Sequence, residues 1–120
     1  MGRILVVDDD LLFQEFVIEE MLRLGHETAR AANGREAVEE IRKKAPDLIL
    51  LDLRMPQVDG IDTLRALRKE EARAPVILLT ARRSPEVLAQ AEALGAVEVL
   101  FKPVDLTRLF QILEEMLGSR

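Results

Sequence analysis

The chain has no cysteine, no tryptophan and no tyrosine, and its aromatic content is four phenylalanines. Without thiols there is no disulfide framework and no thiolate metal site, and the composition fits a reducing cytoplasm. Four phenylalanines offer no stacking platform for nucleobases. Basic residues are outnumbered, giving a formal net charge of −5, so a dominant nucleic-acid surface is excluded as well. No apolar run approaches the length that spans a bilayer, and Met1-Gly2-Arg3 leads into a short apolar strand rather than a signal peptide. Gly2 invites a myristoylation reading, but position 6 is Val where Ser or Thr is required.

What is present is a core-forming pattern. A chain of 120 residues with 48% hydrophobic content fits one domain with a sizeable core and no need of staples. Strand-like apolar runs alternate with helical periodicity. The strand runs are Ile4 to Val7, His26 to Ala32, Leu48 to Asp52, Val76 to Leu79 and Val97 to Phe101. Between them, a helix from Leu11 to Leu24 is closed by Gly25, and Asn33 with Glu36 three residues on opens another to about Lys44. Asp59 is the expected cap of a helix from Gly60 to Lys69, and Ser84-Pro85 starts one that ends at Gly95. Asp105 caps a last helix whose apolar positions Leu106, Leu109, Phe110, Leu113, Met116 and Leu117 share one face. Five βα units in succession predict an α/β fold, a parallel sheet with helices on both faces. The chain is expected to be a single domain over residues 1–120, with no output domain.

Polar residues stand where the strands end: Asp8 and Asp9, Asp52, Thr80 and Lys102. In open α/β sheets the crevice outside the carboxyl ends of the strands is where ligands bind. Adjacent carboxylates such as Asp8 and Asp9 repel one another unless a cation compensates. Mg²⁺ suits them, because it takes oxygen ligands and is held by one or two carboxylates plus a phosphate. Asp10 is read instead as a helix cap. Asp52 either caps a loop or serves as a nucleophile, since carboxylates form aspartyl-phosphates when cations neutralise the incoming group. Thr80 taken singly is an ordinary strand-end residue. Lys102, before Pro103, carries an ammonium suited to a phosphoryl oxygen.

Val6-Val-Asp-Asp9, Leu50-Leu-Asp-Leu-Arg-Met-Pro-Gln-Val-Asp-Gly60, Leu79-Thr-Ala81 and Gly95-Ala96 through Lys102-Pro103 carry a resemblance. Over essentially its full length the chain resembles the receiver domain of two-component response regulators. The resemblance implies a doubly wound, flavodoxin-like or CheY-like (βα)5 sheet of strand order 2-1-3-4-5, the order receivers themselves exemplify. It implies that Asp52 accepts a phosphoryl group from a histidine kinase or histidine phosphotransfer protein. Asp8, Asp9, Asp52 and the backbone carbonyl of Arg54 would arrange Mg²⁺, and Thr80 and Lys102 would bind the phosphoryl oxygens. The Lys102–Pro103 bond would be cis. Such a domain catalyses its own phosphorylation and dephosphorylation and is not a turnover enzyme; it would relay or switch a signal in the cytoplasm without binding nucleic acid or membrane. Within the family the chain looks most like the single-domain phosphorelay intermediate of sporulation. One position departs: Val99 stands where receivers often carry Tyr or Phe, three residues before the lysine.

Other readings compete. Asp8-Asp9-Asp10 is similar to the opening of haloacid-dehalogenase-like phosphatases, with Asp8 as the modified acid, but Leu11 and the Thr80-Ala-Arg-Arg83 segment depart from their pattern. A flavin module would need a Gly-, Ser- or Thr-bearing loop after the first strand, where three Asp stand. A pseudo-receiver that binds partners without phosphorylation is the remaining alternative. Finally, the first helix is amphipathic with a second stripe. Phe13, Phe16, Val17, Met21 and Leu24 fall on one side, while Leu11, Ile18 and Leu22, on roughly the opposite side, are expected to dock a helical phosphodonor, to be covered by a neighbouring helix, or to be ordinary exposed apolar surface.

Overall fold

In the computed structural model, which describes residues 2–52, 60–70, 73–81 and 84–118, each apolar run forms a strand. The order along the chain is β1 (Arg3–Val7), α1 (Leu11–Arg23), β2 (Glu27–Ala31), α2 (Gly34–Lys43), β3 (Leu48–Asp52), α3 (Gly60–Glu70), β4 (Val76–Thr80), α4 (Pro85–Ala93), β5 (Ala96–Phe101) and α5 (Leu106–Leu117). All neighbouring strands pair in parallel, in the order β2-β1-β3-β4-β5. The expected strand order is therefore observed. Every residue of β3 and β4 is buried, which is why these segments read as unbroken apolar runs without alternation. The edge strand β2 is only partly buried and carries Glu27 and Arg30.

The two faces of the sheet follow from the two-residue period of a strand. Leu5, Val7, Ile49, Leu51, Val76 and Leu78 point to one side, where α2, α3 and α4 cover them with residues such as Ile41, Leu64, Leu67 and Ala91. Ile4, Val6, Leu48, Leu50, Ile77 and Leu79 point to the other, under α1 and α5. Strand β5 is irregular. Val76 pairs with Ala96 but Ile77 pairs with Glu98, so Val97 is an extra residue and stands 53% exposed. That bulge resets the parity of everything after it. It brings Val99 opposite Leu78 and onto the α2–α4 face, and it brings Phe101 opposite Thr80.

The helix ends follow the cues in the sequence. Gly25 and Gly95 adopt φ of 93° and 92°, the left-handed geometry that closes α1 and α4. The Asn33 side chain accepts from the Glu36 N–H at 2.9 Å, while Glu36 reaches back one residue further than a capping box requires, accepting from the Ala32 N–H at 2.8 Å. Ser84 and Asp105 cap α4 and α5. The expected cap Asp59 lies outside the described residues.

Helix α1 corrects the two-stripe expectation. Ile18 is 2% exposed and belongs to the core under α1 and α5, whereas Phe16, assigned to the other side with Met21, is 47% exposed with its ring 5.8 Å from that of Phe110. At 100° per residue Ile18 lies only about 60° from Met21, so it widens the buried stripe rather than starting a second one. The apolar residues α1 leaves to solvent are Leu11, Leu12 and Leu22, with Phe16 half out.

Candidate functional site

Four of the predicted site residues meet at the carboxyl edge of the sheet. Val7 stands opposite Leu51 in the β1–β3 register, so Asp8 and Asp52, each one residue further on, lie side by side. Both are buried, Asp8 directly after β1 and Asp52 as the last residue of β3. Thr80 ends β4 and is buried as well. Lys102 follows β5, and its backbone N–H donates to the Thr80 carbonyl at 2.9 Å. Its ammonium, Nζ, donates to Asp52 Oδ2 across the end of β4. An ion pair with one member almost wholly removed from water persists only where the partners hold each other closely. The Lys102–Pro103 peptide is cis, as the resemblance implies.

The loop after β1 separates the three consecutive acids into different roles. Asp8 Oδ1 accepts from the Asp10 N–H at 2.8 Å. Asp10 caps α1, its carboxylate accepting from the N–H groups of Leu12 and Phe13 at 3.1 and 3.2 Å, which is the reading its position favours. Asp9 is exposed. The mouth of the site is a pocket of about 260 Å³, with Asp52 and Lys102 at its base and Phe13, Val104 and Leu106 as apolar walls.

The donors that converge here are oxygen atoms only, which fits a hard divalent cation and not a soft one. Among the described residues no three acidic or histidine side chains form a metal-holding group. Asp8 and Asp52, buried side by side, could serve an ion such as Mg²⁺, which binds through one or two carboxylates and keeps several of its waters. The Arg54 carbonyl, expected to be a further ligand, lies outside the described residues.

Gln14, His26 and Thr63 are buried polar residues that carry no motif. Gln14, on the core-facing side of α1, donates through Nε2 to the carbonyls of Asp8 and Ala31, both at 2.9 Å. The only trace of it in the sequence is a polar residue inside the apolar stripe between Phe13 and Val17. His26 sits at the opposite edge of the sheet; its Nδ1 accepts from the Gly2 N–H at 3.2 Å and its Nε2 meets Glu114 Oε1 at 2.6 Å.

The sequence and the fold match known proteins. Residues 4–114 match the profile of the response regulator receiver domain. The regulatory protein AtoC of Escherichia coli is 38% identical over 117 residues, a match covering 98% of this chain and 25% of that protein. The chemotaxis protein CheY of Thermotoga maritima is 30% identical over 118 residues, covering 97% of this chain and 98% of that protein. Among solved structures, chemotaxis response regulator CheY4 of Vibrio cholerae superposes with a TM-score of 0.84 at 32% identity, covering 98% of this chain and 99% of that one. A CheY-like receiver domain protein of Methanospirillum hungatei superposes with a TM-score of 0.89 at 27% identity, covering 99% and 95%. The chain belongs to the response regulator receiver domain family of two-component signal transduction. It spans about a quarter of the length of AtoC and of the ZraR transcriptional regulatory proteins it also matches. The family match favours neither the phosphatase nor the flavin reading.

Proposed function

We propose that Asp52 is the phosphoacceptor of this receiver, loaded by a histidine kinase or histidine phosphotransfer protein. The observation that carries the reading is the Asp52–Lys102 ion pair, formed over the buried Thr80 and beside the buried Asp8. A carboxylate oxygen of Asp52 forms the new bond to phosphorus as the phosphorus–nitrogen bond to the donor histidine breaks, and the departing imidazole keeps that electron pair. Lys102 transfers its hydrogen bond from the Asp52 carboxylate to a phosphoryl oxygen, and the Thr80 hydroxyl donates to another. Both act as preplaced donors where negative charge accumulates. Asp8 and Asp9, with Asp52 and the Arg54 carbonyl, would hold Mg²⁺, which when bound neutralises charge on the transferring group. Hydrolysis reverses the modification when water attacks phosphorus and the bond to Asp52 breaks. The domain thus acts on itself, and no outside substrate is turned over.

The partner proposed to load Asp52 docks around the pocket mouth. Leu106, 38% exposed at the start of α5, lines that pocket, and Leu11 and Leu12, which follow its lining residue Asp10 at the start of α1, are 63% and 84% exposed. Changing Leu11 and Leu12 together to Ser should slow loading from a protein donor and spare loading by acetyl phosphate; equal effects on both routes would refute this docking site. The proposed place of action is the cytoplasm. Among the described residues no helix is long and apolar enough to cross a membrane.

The test is intact-protein mass spectrometry after incubation with acetyl phosphate and Mg²⁺, with Asp52→Asn alongside. One added phosphoryl group, absent in the variant and absent when Mg²⁺ is chelated beforehand, supports the reading. No adduct, together with no binding of beryllofluoride, would point to a pseudo-receiver. An adduct that survives in Asp52→Asn would return attention to Asp8.

A further inference from the structure

Gln14 is 1% exposed, and a buried amide is costly unless its hydrogen bonds are made. Only one half of it is satisfied. Nε2 bonds the Asp8 and Ala31 carbonyls, whereas Oε1 is buried without a hydrogen-bond partner. The opposite orientation of the amide would set Oε1 against two carbonyl oxygens, so the donor pair fixes which way it lies. A Met or Leu would fill this place in the core without a buried amide oxygen, but would take from the Asp8 carbonyl the donor that Gln14 gives it. What the amide supplies instead is a closed ring of three bonds. The Asp8 N–H donates to the Ala31 carbonyl at 3.0 Å, and Gln14 then ties that same carbonyl to the carbonyl of Asp8. Both backbone polar groups of Asp8 are thereby anchored, its N–H to the end of β2 and its carbonyl to α1. The Asp8 side chain is held in turn by the Asp10 N–H at 2.8 Å.

Mg²⁺ demands near-ideal octahedral geometry and short bonds, so a carboxylate that wanders loses much of its value as a ligand. We propose that Gln14 is a positioning residue: its amide locks the Asp8 peptide against the end of β2 and so sets how the Asp8 carboxylate is presented to the divalent cation. The inference rests on the assignment of Asp8 as a metal ligand under Proposed function. It adds to the site a residue that would not touch the metal or the phosphoryl group.

The experiment is calorimetric titration of the intact chain with Mg²⁺ alone, with thermal unfolding measured on the same samples, for the wild type, Gln14→Met and Leu113→Ala. Gln14→Met keeps the volume and removes the donors; its Mg²⁺ affinity should fall by about tenfold or more, as for other residues that orient a metal ligand. Leu113→Ala hollows the core beneath α5 and should lower the melting temperature while leaving Mg²⁺ affinity unchanged. Should Gln14→Met not fold, Gln14→Asn keeps the amide but shortens its reach, and it carries the same expectation. Wild-type affinity in the Gln14 variant overturns the proposal, as does an equal loss in Leu113→Ala, because affinity would then merely follow stability. A wild-type chain that binds no Mg²⁺ overturns the metal assignment and this inference together, whereas a normal wild type beside an unaffected Gln14 variant overturns this inference alone.

Discussion

Polar side chains are buried at both edges of the sheet, and the two edges use them differently. At the carboxyl edge Asp8, Asp52 and Thr80 are buried, and Lys102 bonds Asp52 beneath an open pocket of about 260 Å³. At the amino edge the His26 side chain is fully enclosed, and both of its ring nitrogens have protein partners. Because Nδ1 accepts from Gly2, the ring proton belongs on Nε2, which donates to Glu114. The amino edge is a closed knot joining the start of β1, the start of β2 and the end of α5. The carboxyl edge joins its strands through an ion pair that lies at an open pocket, where the proposed phosphoryl group would take it over. Buried polar groups therefore mark function only where their partner is exchangeable and a route leads to it.

The largest effect should come from breaking the exchangeable pair. Lys102→Met removes the ammonium that meets Asp52, and the rate of adduct formation from acetyl phosphate should drop about a hundredfold, the usual cost of deleting one preplaced donor. Mass spectrometry over time checks this, and a rate within twofold of wild type would show that the pair is structural. At the other edge, His26→Ala leaves a hole and two polar groups without their partner. It should cost about 3 kcal/mol in urea unfolding and leave the phosphorylation rate of the folded protein unchanged. A slowed rate at low denaturant would erase the contrast between the edges.

Asp10→Ala sharpens the contrast within the carboxyl edge itself, since Asp10 lies at the pocket yet bonds α1. The expected loss is about 1 kcal/mol of stability, from the lost cap, with phosphorylation retained. The smallest effect belongs to the surface. Hydrogen bonding to Lys44, with Arg3 adding to it, holds the Glu27 carboxyl below the ordinary carboxylate range. A depressed folded value means that this contribution is present above the unfolded pKa and is lost as pH falls through the folded one. Glu27→Gln should thus be slightly less stable than wild type near pH 7, with the gap closing in acid and in high salt, because the pair is exposed. Unfolding curves at several pH values and salt concentrations test it; a gap that widens in acid would contradict the sign.

Much of this was legible before any tertiary structure. The unbroken apolar runs at Leu48 and Val76 read as central strands because burial on both faces removes alternation, and Gly25, Asn33, Ser84 and Asp105 announced helix ends through local backbone chemistry. The acids and the lysine at strand ends were visible because strands that terminate at one edge must present their next residues together. Helix α1 was legible only in part. Its periodicity identified a helix, but a periodicity measured from one segment cannot say how wide a stripe its neighbours will cover, and so whether Ile18 docks a partner or is covered stayed open until the packing of α1 showed it buried. Gln14 and His26 left almost no trace, since their partners lie far away in the chain: Ala31 for one, Gly2 and Glu114 for the other.

By itself, then, the sequence determined the alternation of strands and helices, their caps, and the residue types delivered to one edge, because each depends on spacing within a few residues. The strand order was not in those spacings; it came from the family resemblance, and the strand register confirms it. Only the tertiary structure decided that Val97 bulges out of β5, so that Val99, partly buried, packs against the core under α2–α4 and Phe101 aligns with Thr80. Only it decided that Lys102 closes on Asp52 and that Gln14 ties α1 to the ends of β1 and β2. The physical reason is common to all of these: each is a pairing between segments distant along the chain, selected by the packing of the whole sheet and invisible to any local window.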